Sequence, residues 1–294
     1  MPWKSCLGDP KSAMFGQSKA LNRIAASITA EDICAPFTFE IDAQSTCRDA
    51  EERWNIFCLE TNTDPFDHLV LVTKAGNHVG WVAYDSLGAH EEIIEDVMDH
   101  LTLSNLVSSD TSLLETAKLY QDKSPWIFIV LKANRPLGWI SYHALLGPAF
   151  RACLFGLLLG IEQTMADILK TDPNLALTKI PTKRLEAANR VYELRAYQQW
   201  RGQHRSANEL INCTTFIDKV TTIESFPQTL AALRSFNRTT FAKAEALRNA
   251  LAHPTPENEL IRLLPKSDLH TFITWLTTLE AELTAYLKSG DRIS

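Results

Sequence analysis

Glycine and proline are sparse, at 11 and 13 of 294 residues, and no segment is dominated by either. This excludes collagen-like, linker-like and low-complexity chains, and 45% hydrophobic with 22% charged residues is the composition of a folded protein. The six cysteines (Cys6, Cys34, Cys47, Cys58, Cys153, Cys213) form no Cys-x2-Cys pair and no Cys/His spacing suited to zinc. They read as reduced thiols of a cytoplasmic protein, and no metal site is expected. The first residues, MPWKSCLGDPKSAM, lack the apolar core of a signal peptide, so secretion is not expected. The most apolar run, Ala152 to Ile161, covers about half of the roughly 20 residues a membrane span needs. It lies between Arg151 and Glu162 and is expected to be a buried helix, with no membrane partner.

What is present divides into two halves. The length suits two domains, each able to bury a core. Residues 1–147 carry 11 basic and 20 acidic side chains, residues 148–294 carry 18 and 15, so the second half has the charge better suited to a polyanionic partner. The expected organisation is α+β and multidomain. It comprises an N-terminal helical extension over 1–30, a repeated α/β region over 31–147 and an all-α region over 148–294.

The first half contains one pattern twice, over about 31–90 and 95–147. Leu71 to Leu87 (LVTKAGNHVGWVAYDSL) aligns without a gap on Ile129 to Leu145 (IVLKANRPLGWISYHAL). Lys74, Gly80, Trp81 and Tyr84 match Lys132, Gly138, Trp139 and Tyr142. Upstream, Glu31-Asp32-Ile33 resembles Glu95-Asp96-Val97. An apolar run near Ile41 or Val107 leads into a Ser/Thr/Asp cluster able to cap a helix. Two β-rich runs follow, joined by turns containing Gly76-Asn77 and Asn134-Arg135-Pro136. The predicted unit is strand, helix, strand, strand, helix, with the extra residues of copy one (ETNTDPFD) forming a loop.

These residues resemble the cystathionine-β-synthase-type (CBS) domain, whose copies open on an Asp-hydrophobic-Met element, here Asp96-Val97-Met98. The resemblance implies an intertwined tandem pair with an adenine-nucleotide effector in the clefts between copies. At the family's Ser/Thr position stand Ala83 and Ser141, and at its ribose-binding Asp position stand Ser86 and Ala144. The ligand candidates are therefore Ser141 and Asp85, the latter one residue early. A pair kept for dimerisation alone is the other reading. His78 and His143 read as ordinary surface or satisfied residues.

From Pro148 onward helical periodicity takes over. Helices are expected over Ala149 to Lys170, Pro181 to about Gly202 and Glu209 to Thr222. A fourth region starts at Ser225-Phe226-Pro227, with Ser225 as N-cap, and runs with a break near Asn237 to Ala252. Asp268 to Leu287 is expected to be the last helix. A basic series, Lys183, Arg184, Arg190, Arg195, Arg201 and Arg205, has acidic residues interleaved and reads as a solvated face.

The segment Arg248-Asn249-Ala250-Leu251-Ala252-His253-Pro254 carries the sharper signal. Proline disfavours helix in the residue before it, so a helix must stop near His253. Five residues at about 100° each separate Arg248 from His253 by about 140° in an unbroken helix. The two side chains converge only if the helix end is distorted or if two chains contribute.

This pattern resembles the HEPN superfamily, whose ribonucleases carry Arg, commonly a polar neighbour, and His after four to six intervening residues. The resemblance implies a helical bundle acting as a homodimer, without metal or other catalytic cofactor, on single-stranded RNA or tRNA-like loops. Arg248 would stabilise the phosphate, His253 would move protons and Asn249 would orient. Glu162, on the first bundle helix, is a further candidate beside the motif. A non-catalytic RNA- or partner-binding module and a purely structural dimer stand as alternatives.

Overall fold

The computed structural model describes residues 27–87, 91–121, 125–198, 206–253 and 255–293. Most of the expected extension over 1–30 lies outside them, as do the Arg195 side chain and all of Arg201, Arg205 and Pro254. The chain separates into two compact units, one of residues 28–150 and one containing 151–294.

In the first unit, helix α1 (Ala30–Ile33) and strand β1 (Ala35–Pro36) lead into β2 (Glu40–Asp42), α2 (Cys47–Thr61) and the hairpin β3 (Leu69–Lys74) and β4 (Asn77–Ala83). The second copy repeats this with α3 (Ile94–Val97), β5 (Asp99–His100), β6 (Leu106–Ser108), α4 (Leu113–Leu119), β7 (Ile127–Lys132), β8 (Arg135–Ser141) and α5 (Tyr142–Leu145). Thr46 and Ser112 cap α2 and α4 by accepting from Asp49 N and Glu115 N. In place of a closing helix, copy one has the 3-10 turn Tyr84–Ser86. Its extra residues are not simply a loop: they lengthen α2 to Thr61, where Asn62 takes a left-handed cap, and add a 3-10 turn at Pro65–Asp67.

The copies exchange their leading strands. The sheets run β1-β8-β7-β6 and β2-β3-β4-β5, so each copy's first strand closes the other copy's sheet. The repeated glycine makes the exchange sterically feasible. A Cβ on Gly138 would stand 2.2 Å from the carbonyl oxygen of Ala35 in β1, and one on Gly80 would stand 2.6 Å from that of Asp99 in β5. Lys74 pairs with Glu95 on α3, and its repeat equivalent Lys132 pairs with Glu31 on α1. The exchange is thus tied by ion pairs as well as by strand hydrogen bonds.

The hairpin turns contain Gly76-Asn77 and Asn134-Arg135, as the sequence suggests, with Pro136 already in β8. Lys74 faces Asn77 and Lys132 faces Arg135, leaving Ala75-Gly76 and Ala133-Asn134 as central pairs with φ of 51°, 76°, 49° and 63°. Positive φ at both positions is what the twist-matched two-residue hairpin requires. Alanine accepts it here in both copies, a conformation its side chain disfavours.

The second unit is helical. Helix α6 (Pro148–Leu169) buries Leu154, Leu158, Ile161, Met165 and Leu169 at helical spacing. The apolar run seen in the sequence is part of this 22-residue helix, which is long and apolar enough to cross a membrane, yet 61% of its most apolar window is buried inside the protein. There follow α7 (Pro173–Thr178), α8 (Thr182–Gln198), α9 (Ala207–Asn212) and α10 (Phe216–Glu224). The single helix expected over 209–222 is two, because Thr215 and Asp218 form a capping box that starts α10 afresh. Ser225 is not an N-cap: it ends α10, its hydroxyl donating to Thr222 O, and Phe226 takes the cap position of α11 (Pro227–Ala232). Asn237 caps α12 (Arg238–Ala252) through Thr239 N and Thr240 N. A short α13 (Glu257–Leu263), absent from the sequence reading, precedes α14 (Lys266–Ser289), which buries Leu269, Phe272, Ile273, Leu276, Leu279 and Leu283.

Candidate functional site

Glu162 sits two turns from the end of α6, on a helix whose other residues are mostly committed to the core. Its carboxylate is divided between two cations. Oε2 accepts from Arg248 Nε at 2.8 Å and Oε1 accepts from Lys219 Nζ at 3.1 Å. Helices α10 and α12 pack together, which brings Lys219 and Arg248 to the same carboxylate. The structure therefore joins Glu162 and Arg248, two of the residues singled out in the sequence, and adds Lys219, which was not.

Lys219 is buried, with 3% of its side chain exposed, against 14% for Glu162 and 29% for Arg248. Its ammonium also donates to Thr214 O at 2.6 Å. Burial pulls Lys219 below the ordinary lysine range, and the charge of Glu162 opposes that pull. Nearby Asp218 is engaged by its capping box and stands 3.8 Å from Arg184 Nε. Arg184, from the basic series, is thus in part an ion-pair partner.

Clamping Arg248 by Nε leaves its two terminal nitrogens, one of which reaches Asn249 Oδ1 at 3.4 Å. A guanidinium held by its inner edge presents the planar fork that suits phosphate oxygens. Asn249 and His253 are exposed. Helix α12 ends at Ala252, and His253 turns to extended backbone with φ −123° and ψ 160°. Among the described residues the His253 imidazole has no hydrogen-bond partner, Arg248 included. The chain beyond is tied back: Thr255 Oγ1 donates to Ala250 O at 2.6 Å, and Arg151 Nη1 donates to Thr255 O at 2.9 Å. Arg151 and Thr255, which fix the exit from α12, were also not foreseen.

A second feature lies in the first unit. A cleft of about 700 Å³ is lined by Asp85, Ser141, Asp67, Asp99, His68, His143 and the paired tryptophans Trp81 and Trp139, among others. The two ligand candidates from the repeat thus share one cleft. Ser141 Oγ caps α5 by accepting from Ala144 N at 3.0 Å, and Asp85 lies in the 3-10 turn. His143 is a cleft residue, while His78 pairs with Glu40 at 3.1 Å. The described lining residues include three aspartates and neither lysine nor arginine. The buried indole N–H groups of Trp81 and Trp139 have no acceptor among the described residues. Among the described residues no group of three His, Cys, Asp or Glu side chains is placed to hold a metal ion.

No family model matches the chain, and no curated protein matches it. Solved structures similar to part of it include CBS-domain proteins. The CBS domains of a transcriptional regulator from Streptococcus pneumoniae share 16% identity, covering 40% of this chain and 97% of that one, with a TM-score of 0.31. The CBS domain of a membrane protein from Sphaerobacter thermophilus shares 15%, covering 46% and 96%, with a TM-score of 0.34. The CBS domain of a bacterial CNNM/CorC family Mg2+ transporter, solved in complex with ATP, shares 11%, covering 47% and 95%, with a TM-score of 0.32.

Proposed function

We propose that the helical unit is a HEPN-type endoribonuclease that cuts single-stranded RNA or RNA loops at a site built on Arg248 and His253, and that the paired repeats regulate it. The observation that carries this reading is the hydrogen bond from Arg248 Nε to Glu162, which holds a guanidinium near the helix end where His253 is exposed. In the reaction the ribose 2′-oxygen attacks the adjacent phosphorus as its proton is removed. The bond from phosphorus to the 5′-oxygen breaks, and that oxygen leaves protonated. Products are a 2′,3′-cyclic phosphate and a 5′-hydroxyl. Arg248 bears the charge that builds on the phosphoryl oxygens, His253 transfers a proton and Asn249 orients. DNA, lacking the 2′-hydroxyl, is inert.

Arg248 lies within α12 and His253 just past its end, so we assign each site to two chains of a cytoplasmic homodimer, Arg248 from one and His253 from the other. The test is complementation. Arg248→Ala and His253→Ala proteins are each expected to be inactive and to regain cleavage when mixed and allowed to exchange subunits. Inactive mixtures that contain heterodimers would place both residues of a site on one chain.

The effector of the paired repeats is assigned to the cleft holding Asp85 and Ser141, and an adenine nucleoside or nucleotide is the ligand class proposed. Coupling requires that the ligand favour one dimer arrangement over another. A pair that only sets dimer geometry is the competing reading, and a thermal-shift screen of nucleosides and nucleotides separates them, since scaffolding predicts no shift.

A further inference from the structure

We infer that Lys219 is a positioning residue of the phosphate site: its buried ammonium fixes the carboxylate that clamps Arg248 and holds the Lys219, Glu162 and Arg248 cluster at a net charge of plus one. The inference rests on the ribonuclease reading for its chemistry, and on geometry for its form. Glu162 and Arg248 alone would sum to zero, and a phosphodiester arriving at a neutralised guanidinium would gain little over water. Lys219 restores one positive charge without competing for the phosphate, because only 3% of its side chain is exposed and its ammonium is engaged by Glu162 Oε1 and Thr214 O. The neighbouring pair Asp218 and Arg184 adds no net charge. The surplus is therefore expressed at Arg248, the most exposed member of the three. Lys219 acts through Glu162 and touches no reacting atom.

Charge and shape can be separated by substitution in the full-length protein. Lys219→Met removes the charge and leaves Glu162 to cancel Arg248. The double variant Lys219→Met with Glu162→Gln removes both buried charges and returns the cluster to plus one. Two readouts apply: kcat/KM on a single-stranded RNA, and the Kd of the same strand with 2′-deoxy substitution, which binds and cannot be cut. Lys219→Met is expected to lower kcat/KM by about 10- to 100-fold, the scale on which residues behind a functional group act, and to weaken the inert strand about tenfold. The double variant is expected to recover most of the lost affinity, while its kcat/KM stays below wild type because Glu162→Gln also loosens the clamp on Arg248. A purely structural lysine predicts that the double variant is at least as impaired as the single one, and that result overturns the inference, as does an unchanged Lys219→Met. Thermal melts identify a variant that fails to fold. Should Lys219→Met do so, the double variant decides alone, recovery of affinity upholding the inference and its loss overturning it. If the wild type cuts no RNA, the ribonuclease reading fails, and the order of the three affinities for the inert strand still upholds or overturns the role of Lys219.

Discussion

Arg248 and Glu162 meet through one hydrogen bond, Nε to Oε2 at 2.8 Å, while the second carboxylate oxygen belongs to Lys219. The stability consequences are unequal. Removing Glu162 leaves a buried ammonium without its counter-charge, so Glu162→Ala is expected to cost about 3–5 kcal/mol. Arg248→Ala leaves the Lys219 and Glu162 pair intact and removes a partly exposed group, so about 1 kcal/mol or less is expected. Urea denaturation of the two variants checks this. Equal losses would mean that the carboxylate is held by Arg248 and not by the buried lysine.

Strand exchange between the repeats makes a second set of expectations. Gly138→Ala drives a methyl group into the carbonyl of Ala35 and Gly80→Ala into that of Asp99, so each is expected to destabilise the first unit by about 1–3 kcal/mol. Gly76→Ala meets no atom within 4 Å but must hold φ +76°, which costs about 1–2 kcal/mol. Thermal melts rank the three. A harmless Gly138→Ala would show that β1 does not approach β8 as described.

The ion pair from Lys74 to Glu95 gives a pH dependence with a definite sign. The hydrogen bond from Lys74, with its charge, holds Glu95 below the ordinary carboxylate range, and Lys243 does the same to Asp268. A carboxyl depressed in the folded state contributes stability above its unfolded pKa and loses it as pH falls through the folded value. Denaturation midpoints of the wild type are therefore expected to drop more steeply on acidification than those of Lys74→Met. Parallel curves would remove Glu95 from the acid response.

In the cleft of the first unit, three aspartates with no lysine or arginine among the described lining residues disfavour a polyphosphate. Adenosine is expected to raise the melting temperature more than ATP does, and Trp81→Phe is expected to reduce that rise. A larger shift with ATP would contradict this charge-based ranking.

Much of the first unit was legible because it is written twice. Matches such as Gly80 with Gly138 and Trp81 with Trp139 hold a fixed spacing, and repetition exposes what a single copy hides. The central pairs of the turns were not legible, because alanine at positive φ, as at Ala75 and Ala133, sends no signal, and the ladder decides the register. The break between α9 and α10 did have a signal, the Thr215-x-x-Asp218 box, overlooked within an apolar periodicity that runs on through it. Of the proposed site, Arg248, Asn249 and His253 could be singled out from their spacing and the proline that follows. Lys219 could not, since a lysine on an amphipathic helix reads as solvated until another helix brings a carboxylate to it.

The most direct measurement is cleavage of a single-stranded RNA by the purified protein in EDTA, compared with Arg248→Ala and His253→Ala proteins confirmed as folded and dimeric. Cleavage to 2′,3′-cyclic phosphate ends by the wild type, with a loss of at least about 100-fold in each variant, is the expected result. Variants that cut as fast as the wild type, or a wild type that binds RNA and leaves it intact, would contradict the account.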